Sequence, residues 1–578
     1  MRPIVAALAG MLVLAAQDEP AWVARSDDYT QIVLELLTKY RPERASSLFV
    51  RGLDEEVSAP GTDQPERFRR DAALAREELE RCLRMETDPN VHQDLEILIG
   101  EVDLEVRESQ VNERLLLPYD NAADIVFEGM WPLLQEVASP ARQLAAVKRL
   151  RRYAGMEPGY VPITVVSERE FTAGLQKNPK RLGPIRQTVV ADMDALNGRA
   201  DEIQELLEKW RLTGWQESLA RLRTELAQYR DFLRTTVLPK CRTDAHLPVD
   251  LYSLNLARAG ITEPIDDLAR AAHRQFREIQ GQMQPLALTV ARERGWKERD
   301  YRDVLRRLHQ EQLTGETIES VYRQRIAQLD DIIRAQHLLT PPPYAAIVRL
   351  ATQQETEGLP VPRTLPPPLV NNRRERAQFI VPLEPKGSPP RFDDYNSLPA
   401  SWTIASHEVR PGRELQYQFI LGHGVSLARG LFAVNTVNNE GWAMYAEWMM
   451  FPYMPDDGKL ISLELRLMRT ARAFLDPELE EGRITPAEAL RVLRDDVVLS
   501  PTFTNDELAR YTSAMPGQAV SYFAALRKML EMRRAAESAL GPRFSVQAFN
   551  DFVLSEGLLP LDLLQQAVTT QFIPAQQK

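Results

Sequence analysis

Between about residues 29 and 337, apolar side chains return at steps of three and four, turn after turn, with few glycines between them. That spacing gathers them on one face of a helix and scatters them over both faces of a strand, so this part of the chain can bury its stripes only as packed helices. The stretch from Ile265 shows the pattern. Ile265, Leu268, Ala272, Phe276, Ile279 and Met283 share a face, Arg270, Arg274 and Glu278 lie away from it, and Thr262 is placed to cap the helix. Comparable spacing predicts helices over 31–39, 69–86, 201–235 and 316–335. Helical patterning resumes after Trp402 and runs to the end, with Leu460, Leu463, Leu467, Ala471 and Phe474 on one stripe and Ala519, Tyr522, Leu526 and Leu530 on another. Stripes of this kind are core. The expected fold is mainly α, with at most a few short strands.

Proline interrupts this texture once. Of the 40 prolines, 13 fall between Pro341 and Pro399, where no helix can run through. The triple prolines at 341–343 and 366–368 suggest extended segments, and 377–383 (AQFIVPL) reads as a short edge strand. The segment carries Phe379, Phe392 and Tyr395 and leads into the one stretch with chemical character, so it reads as a structured connection lining a cleft rather than a plain linker. The chain therefore divides into an N-terminal leader (1–16), a short segment (17–28), a helical N-terminal part (29–340), the proline-rich connection (341–401) and a helical C-terminal part (402–578). It shows no internal repeat.

Composition narrows the function. With 71 Lys plus Arg against 82 Asp plus Glu, the formal net charge is −11, which argues against a nucleic-acid partner, since such proteins present a basic stripe to phosphates. The 44% hydrophobic and 26% charged residues are those of an ordinary globular protein. Two cysteines, Cys82 and Cys241, exclude a disulfide scaffold or a cysteine-based zinc ribbon. An apolar run from Ile4 to Ala16 follows Arg2 and ends in polar residues, the form of a secretory signal peptide, and no other segment approaches the length of a membrane span. A periplasmic or secreted protein with no membrane span after signal removal is expected.

Residues 406–416 read SHEVRPGRELQ. A His-Glu pair on a helix opens the zinc-hydrolase motif HExxH, in which two histidines one turn apart reach one metal and the glutamate activates water. Here Pro411 stands where the second histidine would be. Further on, 439–447 reads NEGWAMYAE, 515–522 MPGQAVSY and 557–562 GLLPLD, while 39–48 reads KYRPERASSL. In order and spacing these segments resemble the bacterial family called domain of unknown function 885, whose signatures are HEAYPGHHLQ, VEGWALYAE, PGQALAY and GALPLDVL. The resemblance covers most of the chain and implies a large zincin-like helical fold with a central cleft holding zinc. It also implies roles: His407 as first metal ligand, Glu408 as general base, Glu440 as third ligand and Tyr522 as oxyanion support. Trp442 and Tyr445 read as packing residues first and as candidate substrate contacts second.

The chain departs from that pattern at four histidine positions. Arg413 and Glu414 stand where the family has two histidines after its glycine, Glu480 ends the run DPELE, and Asn550 replaces the histidine of a Phe-His-Asp run. A guanidinium has no lone pair to donate, so Arg413 cannot ligate a metal. It can supply positive charge in place of one, and Arg413 is expected to pair with Glu440, Glu408 or both. Glu414 and His423 are the substitute ligands to weigh, although helical phase turns His423 away from His407. The leading expectation is a metallopeptidase relative with a degraded zinc site that binds a peptide or protein without cleaving it and needs no cofactor. The runner-up is an active zinc peptidase with an unconventional ligand, and a third reading is a structural or interaction protein of the cell envelope.

Overall fold

The computed structural model describes residues 20–48, 50–58, 63–135, 138–313, 317–341, 344–352, 355–356, 361–370, 372, 374–382 and 393–578. The leader at 1–16 and Phe392 lie outside them. Helices dominate, and among the described residues none is long and apolar enough to cross a membrane.

The stripe from Ile265 forms helix Ile265–Glu293, which buries Leu268, Ala272, Phe276, Ile279 and Met283 and packs along helix Asp456–Glu480. Thr262 does not cap it. The helix starts behind Pro264, whose fixed φ and missing N–H set the boundary without a side-chain cap. The stretch 201–235 is not one helix but parts of two, Arg186–Lys209 and Gln216–Phe232. The chain turns between them at Arg211 and Gly214, which have φ of 51° and 82°.

Apolar residues collect in three main cores. One lies among the N-terminal helices Ala21–Tyr40, Gln64–Met85 and Pro89–Leu115, and a second gathers Val57 and residues from Leu117 to Val237. The largest joins the Ile265–Glu293 and Thr317–Ala335 helices to nearly the whole C-terminal part. There Leu460, Leu463, Leu467, Ala471 and Phe474 are buried, as their spacing predicts. The second C-terminal stripe differs in phase. Helix Ser521–Leu540 buries Ala524, Ala525, Met529, Met532 and Ala536, and leaves Tyr522, Leu526 and Leu530 only half-buried. Its alanines let it approach helix Thr436–Met450 closely, and Tyr522 is thereby turned out of the core.

The proline-rich connection holds a three-stranded sheet: β1 (Ile347–Leu350), β2 (Arg363–Leu365) and β3 (Gln378–Val381). β3 is the central strand, parallel to β1 and antiparallel to β2, and not the edge strand expected at 377–383. Phe379, Ile380 and Val381 are fully buried, which a solvent-facing edge would not allow, and Pro382 ends the pairing because it has no N–H. Cys82 and Cys241 are not bonded to one another.

Candidate functional site

Helix Ala400–Glu408 is enclosed by the Thr317–Ala335, Thr436–Met450 and Asp456–Glu480 helices, and its residues from Thr403 to His407 are all buried. It stops at Glu408 because the next turn cannot be helical: Pro411 has no N–H to continue the ladder. The chain folds back so tightly that a Cβ on Gly412 would stand 1.9 Å from the His407 carbonyl oxygen. Only glycine fits there. The Trp442 indole braces this bulge by donating to the Pro411 carbonyl at 2.7 Å. Helix Arg413–His423 then begins beside the histidine. In a straight helix Arg413 would lie about 9 Å along the axis from His407, yet its Nη2 is 3.1 Å from His407 Nε2.

Glu440 and Glu447 occur seven residues apart on helix Thr436–Met450, two turns on one face, and clasp the imidazole from both sides. Glu447 Oε1 lies 2.6 Å from Nδ1, and Glu440 Oε2 lies 3.3 Å from Nε2. Arg413 Nη2 also reaches Glu440 Oε1 at 2.5 Å, while its Nε is 3.7 Å from Glu408 Oε1. Glu447 Oε2 accepts from Arg469 at 2.9 Å. Glu408 is held from the sheet: the Thr364 N–H of β2 donates to its Oε2 at 2.8 Å, and the Thr364 hydroxyl donates to its backbone carbonyl at 2.5 Å.

These pairings set the charges. Burial pushes the Glu440 carboxyl up, but Arg413 and His407 outweigh it and hold the group well below the usual carboxylate range. Burial likewise opposes the charged form of Arg413, and Glu440 and Glu408 more than restore it. Burial opposes the imidazolium of His407, and hydrogen bonds to Glu440 and Glu447 carry its pKa above the ordinary value. Burial would raise Glu447, but Arg469 and His407 bring it below normal.

All of these groups line a cavity of about 730 Å³ together with Pro362, Tyr395, Met468, Arg472, Arg510 and Tyr522. The Arg472 guanidinium lies 4.5 Å from the centre of the half-buried Tyr522 ring. The expected cluster of His407, Glu408, Arg413, Glu440 and Tyr522 is thus brought to one place, and the proline-rich connection supplies part of its wall. Glu447 and Arg469 belong to it as well. The sequence held a signal for Glu447, since its position two turns after Glu440 gives it the same face.

Other candidates lie elsewhere. Glu414 is fully buried, pairs with Arg410 and accepts from Gln418, so it faces away from the cavity. Trp442 and Tyr445, 2% and 0% exposed, do not line the cavity: the first braces the bulge and the second donates to Asn550 Oδ1. Both rings are enclosed by the surrounding helices. Asn550 donates to the Leu338 carbonyl at 2.8 Å, and Glu480 accepts from the Leu247 N–H at 2.8 Å. His423 points to the Phe419 carbonyl on an exposed turn. For a metal, the site offers His407 Nε2 and Glu440. Among the described residues, the group of three metal-type side chains whose ligand atoms lie within 4.8 Å of one another is instead His309, Asp394 and Glu464, with Asp394 and Glu464 buried and His309 partly so, a cluster that spacing in the sequence did not reveal.

A family model described as a bacterial protein of unknown function, DUF885, matches residues 42–568. No curated protein matches the chain. Among solved structures, a candidate lipoprotein of unknown function from Shewanella oneidensis superposes with a TM-score of 0.77 at 16% identity, covering 95% of this chain and 100% of its own. A candidate lipoprotein from Colwellia psychrerythraea gives 0.73 at 16% identity, covering 96% and 100%. At such identity the likeness is one of fold.

Proposed function

This chain belongs to the bacterial DUF885 family, and from that premise we propose that it is a metallopeptidase-like protein whose zinc has been replaced by an internal cation, a non-hydrolytic relative that binds a peptide or protein in the His407 cavity. One observation carries the reading. A single nitrogen, Nη2 of Arg413, contacts both His407 Nε2 and Glu440 Oε1. Zinc takes nitrogen and oxygen ligands at about 2 Å, so an ion bridging those two side chains would need the volume this nitrogen holds. The residues present do not fit the metal, and the guanidinium meets the same electrostatic need by compensating two carboxylates in a desolvated cavity. On this reading a site filled by Arg413 would lack the Lewis acid that polarises a carbonyl or acidifies water, while its cavity would still take a ligand. The apolar leader at residues 4–16 and the description of the two structural neighbours as candidate lipoproteins support a place in the cell envelope.

The test is zinc content after incubation with zinc and dialysis, in the wild type and in His407→Ala. The expected result is no zinc whose retention depends on His407. About one zinc per chain, lost in the variant, would restore the reading as an active peptidase, whereas zinc kept equally by both proteins would lie elsewhere, with the His309 cluster the first place to look.

A further inference from the structure

One end of the cavity is walled by arginines, of which Arg469 also reaches the His407 cluster through Glu447. Arg469 and Arg472 stand one turn apart on helix Asp456–Glu480, and Arg510 reaches the same space from the turn after helix Pro501–Ala509. Two carboxylates answer them incompletely. Glu507 is taken by Arg472 through two hydrogen bonds of 2.6 and 2.7 Å and accepts a third from Tyr511, leaving Arg510 Nη1 at 3.7 Å. Glu447 is shared between His407 and Nη1 of Arg469. As a result Arg469 Nε and Arg510 Nη1 are both buried with no hydrogen-bond partner among the described residues, so the internal carboxylates leave both guanidiniums under-paired where they line the cavity; the Arg469 residue is 8% exposed and the Arg510 side chain 26%. Asp506 also lines the cavity, but it is exposed. A buried guanidinium N–H without an acceptor is costly, and its best complement is a carboxylate, which accepts charge-assisted bonds from several donors at once. Tyr395 and Phe503 stand beside this end with rings 5.1 Å apart and offer apolar surface to whatever carries the acid.

We propose that this end is a carboxylate subsite, in which the Arg469 and Arg510 guanidiniums receive a carboxylate of the bound peptide. It rests on the reading of the cavity as a peptide-binding site and adds the class of ligand. Two sources share the chemistry, a free C-terminus and an acidic side chain.

Calorimetric titration of the full mature chain with Ala-Ala-Phe, Ala-Ala-Phe amide and Ala-Glu-Phe amide separates them. A free acid binding about tenfold or more tightly than its amide supports the subsite with the C-terminus as occupant, and recovery of affinity in the Glu-containing amide supports it with a side chain as occupant. Arg510→Gln is expected to erase that preference, and Arg510→Lys, which keeps the charge, to retain part of it. Equal affinity for all three peptides in the wild type, or a full preference persisting in R510Q, overturns the subsite and leaves peptide binding standing. No binding of any of the three overturns both. The wild-type comparison needs no variant, so it decides the matter even where R510Q does not fold.

Discussion

Asp476 shows how one side chain can tie the stability of this fold to pH. It is fully buried, its two oxygens accept from the Gly517 N–H at 2.9 and 3.0 Å and one also from the Tyr252 hydroxyl at 3.0 Å, yet burial still raises its pKa to about 7. The folded state therefore binds this proton more tightly than the unfolded chain, so the stability it contributes is full below about pH 4 and is lost as pH rises toward 7. Asp476→Asn keeps an acceptor without the charge. It is expected to be the more stable protein at pH 7 and above, by at most about 3–4 kcal/mol, with the two proteins converging below pH 4 in urea denaturation. An equal difference at both pH values would show that this proton does not govern the change.

The element that matters most is the bulge between helices Ala400–Glu408 and Arg413–His423, because it alone brings position 413 beside His407. Its shape was partly legible: a proline and a glycine after His-Glu forbid a continuous helix. That Gly412 would press directly on the His407 carbonyl was not, since this is a contact between turns whose direction the dihedrals decide. A Cβ there must displace backbone rather than a flexible side chain. Gly412→Ala is therefore expected to cost at least about 2 kcal/mol in urea denaturation. A loss under about 0.5 kcal/mol would mean the bulge adapts to a side chain.

Across the whole molecule, a buried polar network ties the N-terminal helices to the C-terminal part. Arg429 donates to Asp94 at 2.7 Å, to Gln93 at 2.8 Å and to the Glu556 carbonyl at 3.1 Å, while Ser26 and Ser426 each donate to Asp94 at 2.6 Å. Asp94 and Arg429 are 1% and 6% exposed. Removing the cation leaves a buried carboxylate with hydroxyl partners alone, so Arg429→Met is expected to cost about 3–5 kcal/mol and to open the N-terminal helices to limited proteolysis. Nothing in the spacing of Asp94 and Arg429 announced this pairing.

What could be read without coordinates is what covalent structure and local geometry impose. Period-three-and-four stripes made the chain helical, prolines barred a continuous helix from 341–399, and Arg413 could not ligate a metal in any conformation because it has no lone pair to give. The packing of helices settled the rest. Glu447 reaches His407 across 40 residues of sequence, the buried face of Ser521–Leu540 falls on its alanines and turns Tyr522 toward the cavity, and Glu414 turns to Arg410 while its neighbour Arg413 turns to Glu440. Periodicity gives a helix its apolar face, but not its rotation against each neighbour. Those rotations choose which charged groups share a desolvated space, and that choice sets their chemistry.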